Sequence, residues 1–332
     1  MIKMPVCSKF WRGKRVFITG FEGFLGSALT RAMIEAGAKV TGLDIKTFRK
    51  ETILSPKDYK KMKVYRGSVA SRKLVRGILR KHRPEIIFHL AAEAIVCRSY
   101  KDPLKAFDSN IAGTWEILEA ARLKGGIKAV VVASSDKAYG SHKKLPYRED
   151  APLIANHPYD VSKSCADLIA NTYAHTYGLP VCITRCGNIY GPGDFNFSRL
   201  IPDAMRCLVK NKILQVRSDG KFVRDYVYID DAVSGYTRIA ELLADGKIGS
   251  EPFNLSNEQP ATVVEVLDAI GRCLPKANSL RYKIMNTARY EIKKQYLSSA
   301  KARRVLGWKP AYNLNNGIRK TVSWYAGYFS QK

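Results

Sequence analysis

Short β-branched runs alternate with longer amphipathic stretches through the first half of the chain. Strands are predicted at residues 15–20 (RVFITG), 39–44 (KVTGLD), 63–67 (KVYRG), 85–91 (EIIFHLA), 129–134 (AVVVAS) and 180–186 (PVCITRC). Between them, GSALTRAMIEAGA, DPLKAFDSNIAGTWEILEAARLKG and VSKSCADLIANTYAHTYG repeat apolar residues at helical spacing. This alternation predicts βαβ units, and right-handed crossovers then place helices on both faces of a doubly wound parallel sheet, an α/β fold.

After about residue 186 the rhythm breaks into Gly, Pro and Asn punctuation, a helix-like SRLIPDAMRCLVKN, and shorter mixed segments. The expected division is a main domain over residues 11–186, joined by about 224–256, and a smaller mixed α/β lobe over about 187–223 and 257–328. No flexible linker or repeat separates them, so a shared body with the site in between is expected.

The 332 residues, 46% hydrophobic, suffice for a large core. No apolar run approaches the ~18 residues needed to cross a bilayer, and the first residues lack the apolar stretch of a secretion signal, so a cytoplasmic location is expected. The seven cysteines (7, 97, 165, 182, 186, 207 and 273) are scattered and never form CxxC. They suggest neither a disulfide framework nor a zinc site, and no metal is expected. Charge is the unusual feature: 56 Lys and Arg against 29 Asp and Glu give +27. Such a field favours anionic partners without choosing among polyanions, membranes and small anionic substrates. The basic residues of 71–84, 141–148 and 291–310 alternate with apolar ones at helical spacing and read as solvated faces, not as a nucleic-acid surface.

Directly after the first predicted strand, ITGFEGFLGS sets Gly20, Gly23 and Gly26 at the start of a helix. Glycine is required where a tight turn must let the backbone approach a pyrophosphate, whose charge the helix N-terminus meets. The second strand ends in Asp44, placed to accept hydrogen bonds from an adenosine ribose and to repel a 2′-phosphate. NAD is therefore expected over NADP, with Lys46 and Arg49 close by.

Tyr159 and Lys163 lie four residues apart at a helix start, on one face. An ammonium beside a phenol lowers its pKa from about 10 and makes it a usable base. Ser135, at a strand end 24 residues upstream, can bind the same substrate hydroxyl. His89 reads as a core histidine.

TGFEGFLGS, HLAA, SSDKAYG, YDVSK, RCGNIYGPG, VRDYVYIDD and LGWKP occur in this order over about residues 11–328. Together they resemble the extended short-chain dehydrogenase/reductase family of nucleotide-sugar epimerases and dehydratases. The resemblance implies a Rossmann-type domain that holds NAD through Gly20, Gly23, Phe24, Leu25, Gly26, Asp44, Leu90, Ala91, Ala92, Tyr159 and Lys163. It implies a nucleoside-diphosphate sugar as substrate, met by Ser99, Asn188, Arg199, Leu200 and Arg224. It also implies Tyr159 as the base at the C4 hydroxyl, Lys163 as its partner, Ser135 as the group orienting that hydroxyl, and a homodimer formed through helices at about 103–123 and 160–177.

Within that family, 4,6-dehydratases carry a proton-transfer pair after the Ser or Thr, and Asp136-Lys137 looks like the pair in relatives acting on CDP-glucose. Once C4 is a ketone the C5 proton is acidified, so an acid at the C6 oxygen and a base at C5 can eliminate water. Asp136 is expected as that acid, and Lys137 as the base or as the stabiliser of the enolate. A C4 epimerase is the alternative enzyme, and a non-catalytic NAD- or nucleic-acid-binding protein the alternative of another class. Ser68 stands where the family usually has an aspartate near the adenine, and Arg289, Glu291 or Gln295 is the candidate for a nucleotide contact in RYEIKKQYLSS.

Overall fold

The computed structural model describes residues 6–273, 280–288 and 291–330, so Arg289 lies outside the described residues. The six expected strands form as β1 (Arg15–Thr19), β2 (Lys39–Asp44), β3 (Met62–Arg66), β4 (Ile86–His89), β5 (Ala129–Ala133) and β6 (Val181–Cys186). A seventh, β7 (Pro252–Leu255), adds to the edge of β6; its four residues are too few for periodicity to reveal. All pairings are parallel, and the order β7-β6-β5-β4-β1-β2-β3 reverses direction between β1 and β4. Ligands of open α/β sheets bind at such a reversal, outside the carboxyl ends of the strands.

The continuous apolar runs follow from burial on both faces. Val16, Ile18, Ile86, Phe88, Ala129 and Val131 join one core, whereas Phe17, Ile87, Val130 and Val132 point the other way into a second. Helices α1 (Phe24–Glu35) and, much later in the chain, Ile229–Ala244 cover the first face. Helices α2 (Arg72–His82), α3 (Gly113–Lys124) and α4 (Pro158–Tyr177) cover the second.

The long helical stretch expected before residue 124 is not one α-helix. Pro103–Phe107 is α-helical, Asp108–Ala112 is a π-helical turn, and α3 follows. The extra residue turns Asn110 inward, where its amide donates to Ser162 Oγ (2.8 Å) and accepts from Glu93 N (2.7 Å). Outside the central sheet, Asn188–Tyr190 pairs with Tyr226–Tyr228, and Val223–Arg224 lies between Ala261–Thr262 and Lys294–Gln295. Asp231, in the helix Ile229–Ala244, accepts from Ala311 N (2.8 Å) and Tyr312 N (3.1 Å).

Candidate active site

The turn from β1 into α1 can only be built from glycine. Gly20 has φ +69°, and a Cβ there would stand 2.8 Å from the Ala91 backbone, while a Cβ at Gly26 would stand 1.9 Å from the Gly20 carbonyl oxygen. The Leu90-Ala91-Ala92 segment after β4 is thereby pressed against the turn, and Leu90 N and Ala91 N both donate to Thr19 Oγ1 at 3.2 Å. Gly23 is the N-cap of α1 and offers no side-chain cap; Phe24 and Leu25 open the helix, whose first N–H groups are thus left for an anionic ligand to meet.

Asp44 closes β2 and is 5% exposed. Its carboxylate accepts from Glu22 N (3.2 Å), Lys46 N (3.2 Å) and Arg49 Nη2 (2.6 Å). A carboxylate offers about four acceptor sites, so a place is left for a ribose hydroxyl. Glu22, inside the glycine turn, accepts from Phe48 N (2.5 Å), Arg49 N (2.9 Å) and Tyr59 Oη (2.8 Å). Nothing in the spacing of the motif flagged Glu22; its only sequence signal is a carboxylate inside a turn meant for phosphate. The glycine cradle, the open helix terminus and Asp44 together fit a dinucleotide.

At the end of β5 the chain enters a 3₁₀ turn, Asp136–Tyr139, with Ser135 as its N-cap accepting from Lys137 N at 3.2 Å. Neighbouring side chains on a strand point to opposite faces, and this turn re-aims them. Asp136 goes inward, 3% exposed, and accepts from Ser135 Oγ at 3.0 Å. Lys137 donates to Gln295 Oε1 at 3.4 Å. Burial pushes the Asp136 carboxyl above the usual range against the opposing effects of Lys137, Ser135 and Arg224, the direction a general acid requires.

Tyr159, on α4, stands beside Ser135. Its hydroxyl departs from the expected direction: burial pushes it up to about 12, with Ser135 and Arg199 acting against burial. Lys163 Nζ donates to the Ala133 carbonyl at 2.8 Å, one of its three donors. Burial lowers Lys163 to about 8, opposed by Asp167. His89 is a satisfied core residue: Thr114 Oγ1 donates to Asn110 O (2.6 Å), so His89 Nε2–H donates to Thr114 (3.1 Å) and Nδ1 accepts from Thr19 (2.8 Å). Burial lowers its pKa to about 3, keeping it neutral.

The expected substrate contacts are more scattered. Arg199 caps the helix Leu200–Val209 and pairs with Asp194 at 3.1 Å. Asn188 opens the short strand Asn188–Tyr190, its N–H donating to Asp225 O at 2.7 Å. Arg224 is 7% exposed, donates to Val223 O (2.9 Å) and Lys293 O (3.3 Å), and lies 3.6 Å from Glu291. Ser99 is fully buried and donates to Ile95 O at 3.3 Å within its own helix. Ser68 is exposed and accepts from Ala70 N at 3.1 Å.

A glycine cradle thus stands at the sheet's reversal point, with a Ser-Asp-Lys turn beside a Tyr-x-x-x-Lys helix. The family model for GDP-mannose 4,6 dehydratase matches residues 17–321. The chain belongs to that family. The CDP-glucose 4,6-dehydratase of Salmonella typhimurium is 32% identical over 95% of this chain and 91% of its own length. Among solved structures, a dTDP-glucose 4,6-dehydratase from Bacillus anthracis in complex with NAD superposes with a TM-score of 0.82 at 28% identity, covering 95% of this chain and 97% of that one. A UDP-glucose 4-epimerase from Thermotoga maritima with UDP-glucose gives 0.85 at 27% identity, covering 95% and 99%. The family member described here is an NAD-dependent enzyme of the nucleotide-sugar dehydratase class, a hydro-lyase on a Rossmann-type fold. No helix among the described residues is long and apolar enough to cross a membrane.

Proposed function

We propose that the enzyme converts a nucleoside-diphosphate hexose into the 4-keto-6-deoxy derivative and water, acting as a cytoplasmic homodimer. The observation that carries this reading is Asp136: a buried carboxyl, bonded to Ser135 at 3.0 Å and held above its ordinary pKa, beside the tyrosine that meets the same serine. Hydride exchange at C4 needs Ser135, Tyr159 and Lys163 alone, so an epimerase has no work for such an acid.

Gly20, Gly23, Gly26, Asp44 and the Leu90–Ala92 segment would hold NAD, which when bound supplies the hydride acceptor at C4 and the hydride donor at C6. Ser135 orients the C4 hydroxyl and Tyr159 Oη, once ionised to the phenolate, receives its proton. The C5 proton, acidified by the new ketone, is taken by Lys137 in its amine form, which holds the enolate nearby and returns the proton to C5 after water has left. Asp136 gives its proton to the departing C6 oxygen, and water leaves. Burial supports both ends of this exchange, because a dry site raises the proton affinity of a carboxylate and strengthens each charge–dipole contact. The Asp136-Lys137 pair, together with the Salmonella relative, makes CDP-glucose the first substrate to try.

The test is incubation with CDP-, dTDP-, GDP- and UDP-hexoses and mass measurement of the product. Loss of one water from one of them is expected. A product of unchanged mass but altered stereochemistry would replace this reading with C4 epimerisation.

A further inference from the structure

Behind the Asp136–Tyr139 turn lies a buried ionic network that the chemistry above does not use. Arg185, on β6 beside the edge strand β7, is 4% exposed. Its Nε and Nη2 make parallel 2.8 Å bonds to the two carboxylate oxygens of Asp167, and Nη1 donates to Tyr139 Oη (2.8 Å) and Glu149 O (3.1 Å). The guanidinium also lies 4.7 Å from the centre of the Tyr139 ring. Tyr139 Oη passes its own proton to Asn254 Oδ1 at 2.8 Å.

Burying a charge pair is expensive, and well-packed apolar residues often do as well or better for stability. The two ends of this network suggest what else it does. Asp167 stands on α4 one helical turn beyond Lys163, and its charge is what opposes the effect of burial on that lysine. Tyr139 is the last residue of the turn that carries Asp136 and Lys137. A second link runs the same way: Ser164, beside Lys163 on α4, donates to Ala138 O at 2.8 Å. The helix bearing the oxidation pair and the turn bearing the dehydration pair are thus fixed to one another through Arg185.

We propose that Asp167, Arg185 and Tyr139 form a positioning unit, which sets the Asp136-Lys137 turn against the Tyr159-Lys163 helix so that oxidation at C4 and elimination across C5 and C6 occur on one bound hexose. The inference rests on the dehydratase reading. Oxidation requires only groups on α4 and Ser135, whereas elimination requires the turn to be in register with them. Loosening the turn therefore slows the second half-reaction selectively, and the oxidised sugar and reduced cofactor accumulate together.

The experiment uses NAD-loaded enzyme and the nucleotide sugar that wild type turns over. Tyr139→Phe keeps the ring and removes one hydroxyl. The expected result is C4 oxidation within about 3-fold of wild type in a single turnover, elimination slowed at least about 10-fold, and transient reduced cofactor visible by absorbance. Equal slowing of both steps, or of neither, in a folded variant overturns the proposal. Ser164→Ala, which frees the Ala138 carbonyl, carries the same expectation if Tyr139→Phe does not fold. Asp167→Asn tests the other end: loss of its charge shifts the alkaline limit of C4 oxidation to lower pH, because Lys163 loses its proton sooner. An unmoved limit overturns that half of the proposal. C4 oxidation is common to dehydration and epimerisation, so this last readout stands if wild type yields only an epimer; absence of a dehydrated product from wild type is instead the failure of the dehydratase reading.

Discussion

Lys163 Nζ donates to the carbonyl oxygen of Ala133 at 2.8 Å, which pins α4 to the last residue of β5. The lysine thus holds the end of the catalytic strand in addition to any contact with a ribose. Because burial lowers its pKa to about 8, the charged form is lost as pH rises through that value. The rate of C4 oxidation in wild type is expected to fall on the alkaline side near there. Lys163→Arg, whose guanidinium stays protonated, removes this limb while lowering the maximal rate by about 10-fold or more through altered geometry. A pH–rate profile of both enzymes checks it.

Asp136→Asn keeps the shape and can still accept from Ser135, yet has no proton to give. General acids of this kind contribute about 10²- to 10⁴-fold, so turnover to the dehydrated product should fall by that factor. C4 oxidation should survive, leaving reduced cofactor on the enzyme. Stopped-flow absorbance with single-turnover product analysis separates the two steps, and unimpaired dehydration would remove Asp136 from the mechanism.

Much of this was legible in the order of residues, for reasons that can be named. Val130, Val131 and Val132 face alternate cores, so a continuous apolar run had to be a strand covered on both sides. Gly20 and Gly26 marked the cofactor turn because no other residue fits where they stand. What was hidden depends on distance in space. Residue spacing places Lys163 on the same face as Tyr159, but it could not reveal how deeply the fold buries the phenol, and burial turns the expected lowering of the tyrosine into a rise. The π-helical turn that aims Asn110 at Ser162 leaves no trace in periodicity, since one inserted residue only shifts the apolar phase. Arg185 and Asp167 are 18 residues apart in separate elements, and only the fold makes them a pair.

Two glycines offer a paired test of the cofactor turn. At Gly26 a Cβ would collide with Gly20 O at 1.9 Å, so Gly26→Ala forces the turn open and should weaken NAD binding by about 100-fold or more. Gly77 lies inside α2 with nothing within 4 Å of the added carbon, and Gly77→Ala should stabilise the fold by about 0.5 to 1 kcal/mol. Calorimetric titration with NAD and denaturant unfolding of both variants provide the comparison. Normal NAD affinity in Gly26→Ala would show that the turn is not the cofactor cradle.

Asp225 predicts the pH dependence of stability. It is 0% exposed; one carboxylate oxygen accepts from Ser256 Oγ and from Leu297 N, and the other has no hydrogen-bond partner. Burial raises its pKa from 3.8 to about 7, against the lowering effect of Ser256 and Leu297. A carboxyl whose folded pKa lies above its unfolded value binds its proton more tightly when folded. Its contribution is therefore fully present below about pH 4 and is lost as pH rises through about 7. Asp225→Asn is neutral at every pH, keeps an oxygen for Ser256 and Leu297, and so lacks this loss. Between about pH 5 and about pH 8 the variant should gain on the order of 2 to 3 kcal/mol relative to wild type. Denaturant unfolding of both proteins at the two pH values measures the difference, and the comparison cancels His89, whose lowered pKa acts in the opposite direction in both. A difference that does not change with pH would mean that Asp225 is already ionised in the folded protein at the lower pH, with its unpartnered oxygen open to water.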